Sequence, residues 1–271
     1  MKFDSNLAWK EASSGISANR EVLLALAGVF FLLPGLALAL FYPQPEPAAD
    51  LDQKAMIALV SEYYASILPI MLPMLLFQAV GTLGLLTLLR DKSRPTVGQA
   101  LKQGVKGILP YILAQIVLGL GVGLIGGLVL AIAAATGIAA VGAAGFILVF
   151  AIAVFAAVRT SLSGPVIAVE GERNPVAALK RSWQLTHGNG GRIALFYMLV
   201  VIAFLVVITI VSAIVGIVVS LLAGAETLRV VGAVLSSTLN AVMALYFVAI
   251  IAAVHRQLAG PPAKVVSASF K

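Results

Sequence analysis

The stretch Ile193–Leu222, IALFYMLVVIAFLVVITIVSAIVGIVVSLL, contains no charged residue and decides the class of this chain. Since roughly 20 consecutive apolar residues cross the hydrocarbon core of a bilayer, this stretch predicts a transmembrane helix that is long enough to tilt. Five further apolar stretches occupy residues 22–42, 66–89, 108–134, 141–158 and 228–254. The sequence therefore predicts an all-α membrane protein with six transmembrane helices, in which residues 1–271 form a single polytopic domain.

The composition of the chain agrees with this prediction. Of its 271 residues, 61% are hydrophobic and 11% are charged, whereas a soluble domain has roughly 25% charged residues. So large a surplus of apolar side chains exceeds what a water-soluble core can bury. The chain also has no cysteine, which excludes disulfides, thiolate nucleophiles and cysteine-ligated metal centres.

The basic residues show how the helices are oriented. All 18 lysines and arginines except Lys54 and Arg229 lie before the first, third or fifth span, or after an even-numbered one. Because Lys and Arg in short loops remain in the cytoplasm, both termini are predicted to be cytoplasmic. The net charge of +7 thus follows from topology, and nucleic-acid binding is not expected.

Three similar segments precede the first, third and fifth spans. They cover residues 7–24, 94–110 and 173–195, and each places basic residues just before an apolar stretch. The pattern fits three repeats of one unit, an amphipathic helix followed by a transmembrane hairpin, all in the same orientation.

The second and third segments have the periodicity of interfacial helices. One face carries Val97, Leu101, Val105 and Ile108 in the second segment, and Val176, Leu179 and Trp183 in the third, with Lys102, Lys106, Lys180, Gln184 and His187 facing away. Thr96 and Gln99 predict a capping box, Asn174 a helix cap, and Gly188 a helix end. Amphipathic helices with a basic face lie among lipid headgroups. They either anchor the hairpins only, or form a surface that binds headgroups or docks a protein.

Residues 174–189 read NPVAALKRSWQLTHGN and are followed by Arg192 and the long apolar stretch. This motif resembles that of the bacterial glycerophosphoryl diester phosphodiesterase membrane-domain family and its YciC-like relatives, over about 30 residues counted from Gly164. Some members of that family join the membrane part to a metal-dependent phosphodiesterase barrel. The spans and short loops leave no room for such a barrel here, so the resemblance implies no hydrolase activity. Together with the Ala/Val/Gly-rich spans, it implies a bacterial inner membrane.

The motif supplies the candidate cytoplasmic residues, for a structural or regulatory role. They are Pro175, Leu179, Lys180, Arg181, Ser182, Trp183, Gly188, Asn189 and Arg192. Arg159, at the end of the fourth span, is expected either to extend its charge to the membrane surface as an anchor or to contact a headgroup phosphate. His187 and His255 lie near cytoplasmic helix ends, outside any metal-ligand spacing, and are expected to face solvent or headgroups.

Two further groups of residues lie within the spans. Ser236, Ser237 and Asn240 are the best candidates for an intramembrane site, although such polar groups more often hydrogen-bond neighbouring helices. Gly119, Gly123 and Gly127 repeat every four residues, a pattern that lets helices approach closely within a bundle or between two copies.

The sequence contains no paired acid and base and no charged residue in mid-membrane, so it predicts neither an enzyme nor an ion-coupled pump. No cofactor or metal is expected. The main hypothesis is transport of, or interaction with, lipids or small molecules, with anionic headgroups as partners. The alternative is a scaffold that docks a cytoplasmic protein through residues 175–189, and an intramembrane lipid-modifying enzyme is less favoured. A homo-oligomer is left open.

Overall fold

A computed structural model describes residues 2–45, 52–90 and 95–260 of the chain. Within these ranges the backbone is mostly helical, with short turns between the helices and no β-strand. The α-helices are α1 (Ser5–Ala18), α2 (Arg20–Ala27), α3 (Leu33–Phe41), α4 (Gln53–Arg90), α5 (Val97–Ala135), α6 (Ala139–Thr160), α7 (Ser163–Pro165), α8 (Pro175–Leu185), α9 (Gly190–Leu222) and α10 (Ala225–Ala259). There are also two π-helical segments. Gly28–Leu32 connects α2 to α3, and Val166–Glu170 follows α7 and leads toward α8.

Six helical stretches in the described residues are long and apolar enough to cross a membrane, which confirms the predicted fold class. They are Arg20–Phe41, Gln53–Leu89, Val97–Ala135, Ala139–Glu170, Gly190–Leu222 and Ala225–Ala259. Several extend beyond the apolar stretches that predicted them. The second amphipathic segment, for example, is not a separate helix but forms the first turns of α5.

The predicted helix caps are present. The Thr96 side chain accepts a hydrogen bond from the Gln99 amide, and the Gln99 side chain accepts one from the Thr96 amide, which completes the capping box. Asn174 Oδ1 accepts from the amides of Val176 and Ala177 at the start of α8. Gly188 has a φ of 75°, a left-handed conformation that favours glycine and separates α8 from α9.

The core lies at one end of the helix bundle, which we call the basal end. It comprises α1, α2, α7, the π-helical segment Val166–Glu170, α8, the last turns of α4, α6 and α10, and the first turns of α5 and α9. In this region α1 packs against α10, and α8 packs against α5 and α6. Its fully buried apolar side chains include Leu83, Leu86, Leu162, Ile167, Ile193, Leu245 and Ile250. This end therefore holds the side chains of the sequence motif in fixed positions.

Candidate functional site

The motif helix α8 is fastened to the end of α6 by two hydroxyl groups. Ser182, fully buried, donates from Oγ to the carbonyl of Arg159 over 2.9 Å and accepts from the amide of Leu162 over 3.0 Å. Thr186 Oγ1 lies 3.2 Å from the same carbonyl. Because the last carbonyls of a helix lack partners within it, these contacts satisfy groups that would otherwise be buried unpaired.

Glu170 joins three elements of the basal end. Its Oε2 accepts a hydrogen bond from Arg181 Nε of α8 at 3.1 Å, and its Oε1 lies 2.8 Å from His255 Nε2 of α10. His255 is 1% exposed. The expectation that His255 faces solvent or headgroups is therefore wrong, because packing of α10 against the Val166–Glu170 segment encloses the ring.

Arg159 is buried, with 6% of its surface exposed. Its guanidinium carbon lies 4.6 Å from the centre of the Trp183 ring and 5.9 Å from that of Phe155. Its Nε has no hydrogen-bond partner, and no described carboxylate forms an ion pair with it. The expectation that the charge extends to the membrane surface is thus wrong, because Trp183 covers the guanidinium.

The same guanidinium lies beside the start of α9. A Cβ placed on Gly190, the first residue of α9, would lie 3.5 Å from Arg159 Cδ and 3.8 Å from Arg159 Nη1. Asn189 precedes this helix but makes no side-chain hydrogen bond to its first turn, since its Oδ1 accepts from the amide of Phe3 at 2.9 Å. The first amides of α9 thus lack a side-chain cap, and the positive end of the helix dipole lies next to a buried cation.

A groove of about 490 Å³ runs along the other side of the first turns of α9. Its polar end is formed by Lys2, Asp4, Ser5 and Arg192, and its apolar wall by Phe3, Leu195, Phe196 and Leu199. Basic groups above an apolar helix face match the shape of a lipid, whose charged headgroup continues into an acyl chain.

The structure divides the motif residues into an inner and an outer set. Arg181, Ser182, Trp183 and Asn189 contact other parts of the protein, as described above. Leu179 packs against the core, Pro175 begins α8 and Gly188 follows its end. Lys180 and Arg192 are exposed. The candidate residues chosen from the sequence do not include Glu170 or Thr186. Both lie in the region of the family resemblance, Glu170 beside Gly171 and Thr186 within residues 174–189, but nothing in the sequence indicates what they contact.

The intramembrane candidates are not brought to this site. Ser236 donates to the carbonyl of Ala233 within its own helix, Ser237 is buried near Gly35 of α3, and Asn240 is exposed. They lie on α10 well before the basal turns that carry His255, so they contact neither Arg159 nor the motif helix. An intramembrane site at these three residues stays a prediction.

The glycine pattern requires a correction. A Cβ added to Gly119, Gly123 or Gly127 would meet nothing within 4 Å, so none of the three packs helices together within the bundle. Where α5 and α6 do approach closely, Gly126 of α5 packs against Val149 of α6, and Gly145 of α6 packs against Ala133 of α5. Contact of the three glycines with a second copy stays a prediction.

One family model matches residues 11–258, which is most of the chain; its description is Domain of unknown function (DUF7847). Neither the curated proteins nor the solved structures give a match. The matched range includes α2 to α10 almost completely, and with them Arg159, Glu170 and the motif of α8.

Proposed function

Since the chain belongs to the family described as Domain of unknown function (DUF7847), we propose a function from the geometry: it is a non-catalytic membrane protein that binds anionic lipid headgroups at its basal end. The observation that carries this proposal is the buried Arg159 guanidinium, which has no described carboxylate partner and lies beside the uncapped start of α9.

An anion is the group that such a site lacks. A buried charge is stable only when it is paired and hydrogen-bonded. The Trp183 ring contributes about 2 kcal/mol or more when desolvated, but Arg159 Nε still has no hydrogen-bond partner. A phosphate can accept two parallel hydrogen bonds from a guanidinium and further ones from the first amides of a helix. Arg159 and the amides of Gly190 and Gly191 offer both kinds of donor.

The groove beside α9 favours a lipid over free phosphate. On the side of α9 away from Arg159, Lys2 and Arg192 add two cations beside one carboxylate, Asp4, and Leu195 and Leu199 continue from them as an apolar wall. Each cation near an anionic leaflet contributes about 1 kcal/mol. The Lys/Arg distribution supports placing this end at the cytoplasmic leaflet, and we propose a bacterial inner membrane with both termini cytoplasmic.

The test uses the purified full chain with equal amounts of dioleoylphosphatidylglycerol and dioleoylphosphatidylcholine, and native mass spectrometry counts the lipids that stay bound. We expect the protein to retain the anionic lipid preferentially. Arg159→Gln should lower that retention about fivefold or more, since about 1 kcal/mol or more of binding is lost. Arg159→Lys keeps the charge but not the paired donors. Its retention of the anionic lipid should therefore lie between that of the native protein and that of Arg159→Gln.

Arg229→Gln is the matched control, because Arg229 lies at the opposite end of the bundle and pairs with Glu226. Lys2→Gln with Arg192→Gln changes only exposed residues of the groove and should weaken retention without affecting the fold. Equal retention of both lipids by the native protein, or unchanged retention in Arg159→Gln and Arg159→Lys, would contradict the proposal.

A second candidate function is docking of a cytoplasmic protein through residues 175–189. Its support is the outer face of α8, where Val176, Lys180, Gln184 and His187 are exposed while the inner motif residues are engaged within the chain. A partner that binds this face should be lost in the double variant Val176→Asp, Lys180→Glu, which leaves the inner contacts intact. Co-purification that survives this variant argues against docking.

The resemblance of residues 174–189 to the glycerophosphoryl diester phosphodiesterase membrane-domain family stays a proposal too. Its support is that the residues of the shared pattern, Arg181, Ser182 and Trp183, are those that fasten α8 to its neighbours. On this proposal, the motif residues maintain the packing of the basal end and do not form a catalytic centre.

A further inference from the structure

A second cavity, of about 210 Å³, lies between α4, α5, α6, α7 and α10 and opens to the outer surface beside Gln115. Its polar lining comes from Thr82, Tyr111, Gln115, Thr160, Ser161 and Ser163. On a comparable measure one water molecule needs only about 10–15 Å³, so the cavity has room for a small organic group. Arg159, although adjacent to Thr160 in the chain, does not line it.

Four of these polar side chains have no hydrogen bond within the described residues. The hydroxyls of Thr160 and Ser161 donate to the carbonyls of Ala156 and Val158 in α6. The side chains without one are Thr82, Tyr111, Gln115 and Ser163. None of their polar atoms is both buried and unpaired in the described residues, so all four remain accessible from the cavity. Their convergence on one cavity points to a polar guest that pairs with them.

The lining of this cavity favours a guest without net charge. Lysine, arginine, histidine, aspartate and glutamate are all absent from the lining of this cavity in the described part of the chain. A charged molecule would lose its hydration here without gaining an opposite charge. Hydroxyl, phenol and amide groups instead pair with hydroxyl and carbonyl groups of an uncharged molecule.

We propose that this cavity binds a small uncharged group with several hydroxyl or ester oxygens, of about the size of a glycerol unit. Two sources supply this chemistry: a soluble polyol, and the headgroup of a neutral glycerolipid such as a diacylglycerol. Gln115 is exposed at the outer surface of the bundle, so an amphiphile in the membrane can meet it directly. The proposal is independent of the anionic-lipid site, because the two sites share no side chain.

The experiment measures saturable binding to the purified full chain in detergent by the shift in its unfolding temperature. The probes are glycerol, 1,2-dioctanoylglycerol and, as a charged lipid with the same chains, 1,2-dioctanoylphosphatidic acid. We expect saturable binding of at least one neutral probe, weakened tenfold or more in Tyr111→Phe with Gln115→Leu. Thr82→Val keeps the side-chain shape and serves as a milder second variant, with binding weakened severalfold.

Tyr246→Phe and Thr238→Val are matched controls, because both residues lie on α10 outside the cavity lining; neither should change binding. Saturation by glycerol alone identifies a soluble polyol, and saturation by dioctanoylglycerol alone identifies a lipid headgroup; both support the proposal. Arg159→Gln should leave neutral binding intact while weakening that of dioctanoylphosphatidic acid, which separates this proposal from the proposed function.

Three results would overturn the inference. The first is no saturable shift with either neutral probe, which leaves only water as the guest. The second is neutral binding that is unchanged in both Tyr111→Phe with Gln115→Leu and Thr82→Val. The third is binding of dioctanoylphosphatidic acid that depends on Tyr111 as strongly as neutral binding does.

Discussion

The basal end and the opposite end of the long helices differ in what surrounds their apolar side chains. We call the opposite end, residues 119–135 of α5, 139–155 of α6 and 205–222 of α9, the far end. At the basal end Ile193 and Leu245 are fully buried. At the far end Leu124, Leu221 and Leu222 are 74%, 79% and 81% exposed. The basal end is therefore held by internal packing and hydrogen bonds, whereas the far end presents its apolar surface to lipid.

The largest expected effect comes from deleting the same kind of side chain at the two ends. Ile193→Ala should lower the free energy of unfolding by about 2–5 kcal/mol, because it leaves a cavity among buried residues. Leu221→Ala should change it little, since Leu221 has few internal contacts to lose. Unfolding of the protein in mixed lipid–detergent micelles by increasing SDS measures both. Equal losses would show that the far end is packed against something the bundle itself does not supply.

A second comparison of the two ends replaces one serine at each end and measures the free energy of unfolding. Ser182→Ala removes the donor to the Arg159 carbonyl and the acceptor for the Leu162 amide, and should cost about 1–3 kcal/mol because both backbone groups stay buried. Ser220→Ala at the far end removes a hydroxyl that donates to a carbonyl of its own helix and should be close to neutral. The same SDS titration compares them. A neutral Ser182→Ala would mean that α8 is not held by its hydroxyl contacts.

The smallest expected effect concerns two glycines three residues apart in α5. A Cβ at Gly126 would lie 2.9 Å from Val149 Cγ1, so Gly126→Ala should destabilise the α5–α6 contact by about 1 kcal/mol. Gly123→Ala meets open space and should be neutral or slightly stabilising, as alanine favours helix. The opposite ranking, accompanied by loss of a dimer in native mass spectrometry, would assign Gly119, Gly123 and Gly127 to contact between two copies.

Much of the fold could be predicted because hydropathy and capping chemistry are local signals. The six spans, the capping box of Thr96 and Gln99 and the helix end at Gly188 all follow from short stretches of sequence. Helix ends were less predictable: α4 begins at Gln53, well before the apolar stretch at residue 66, because hydropathy marks the membrane boundary rather than the end of the helix.

The candidate site could be predicted only in part. Residues 174–189 were identified as important, but the contacts of Glu170 with His255 and of Arg159 with Trp183 join residues that are distant in sequence. Periodicity assigns a residue to a face of its own helix and does not say which helix that face meets. For the same reason the burial of His255 and Arg159 was not foreseen.

Headgroup binding at Arg159 can be observed directly in an electron cryomicroscopy map of the full chain in nanodiscs that contain dioleoylphosphatidylglycerol. We expect density for a lipid phosphate within hydrogen-bonding distance of the Arg159 guanidinium and the first amides of α9, with Trp183 covering the arginine. A guanidinium paired with a carboxylate of the chain, or turned out into water with no phosphate beside it, would rule out the headgroup site.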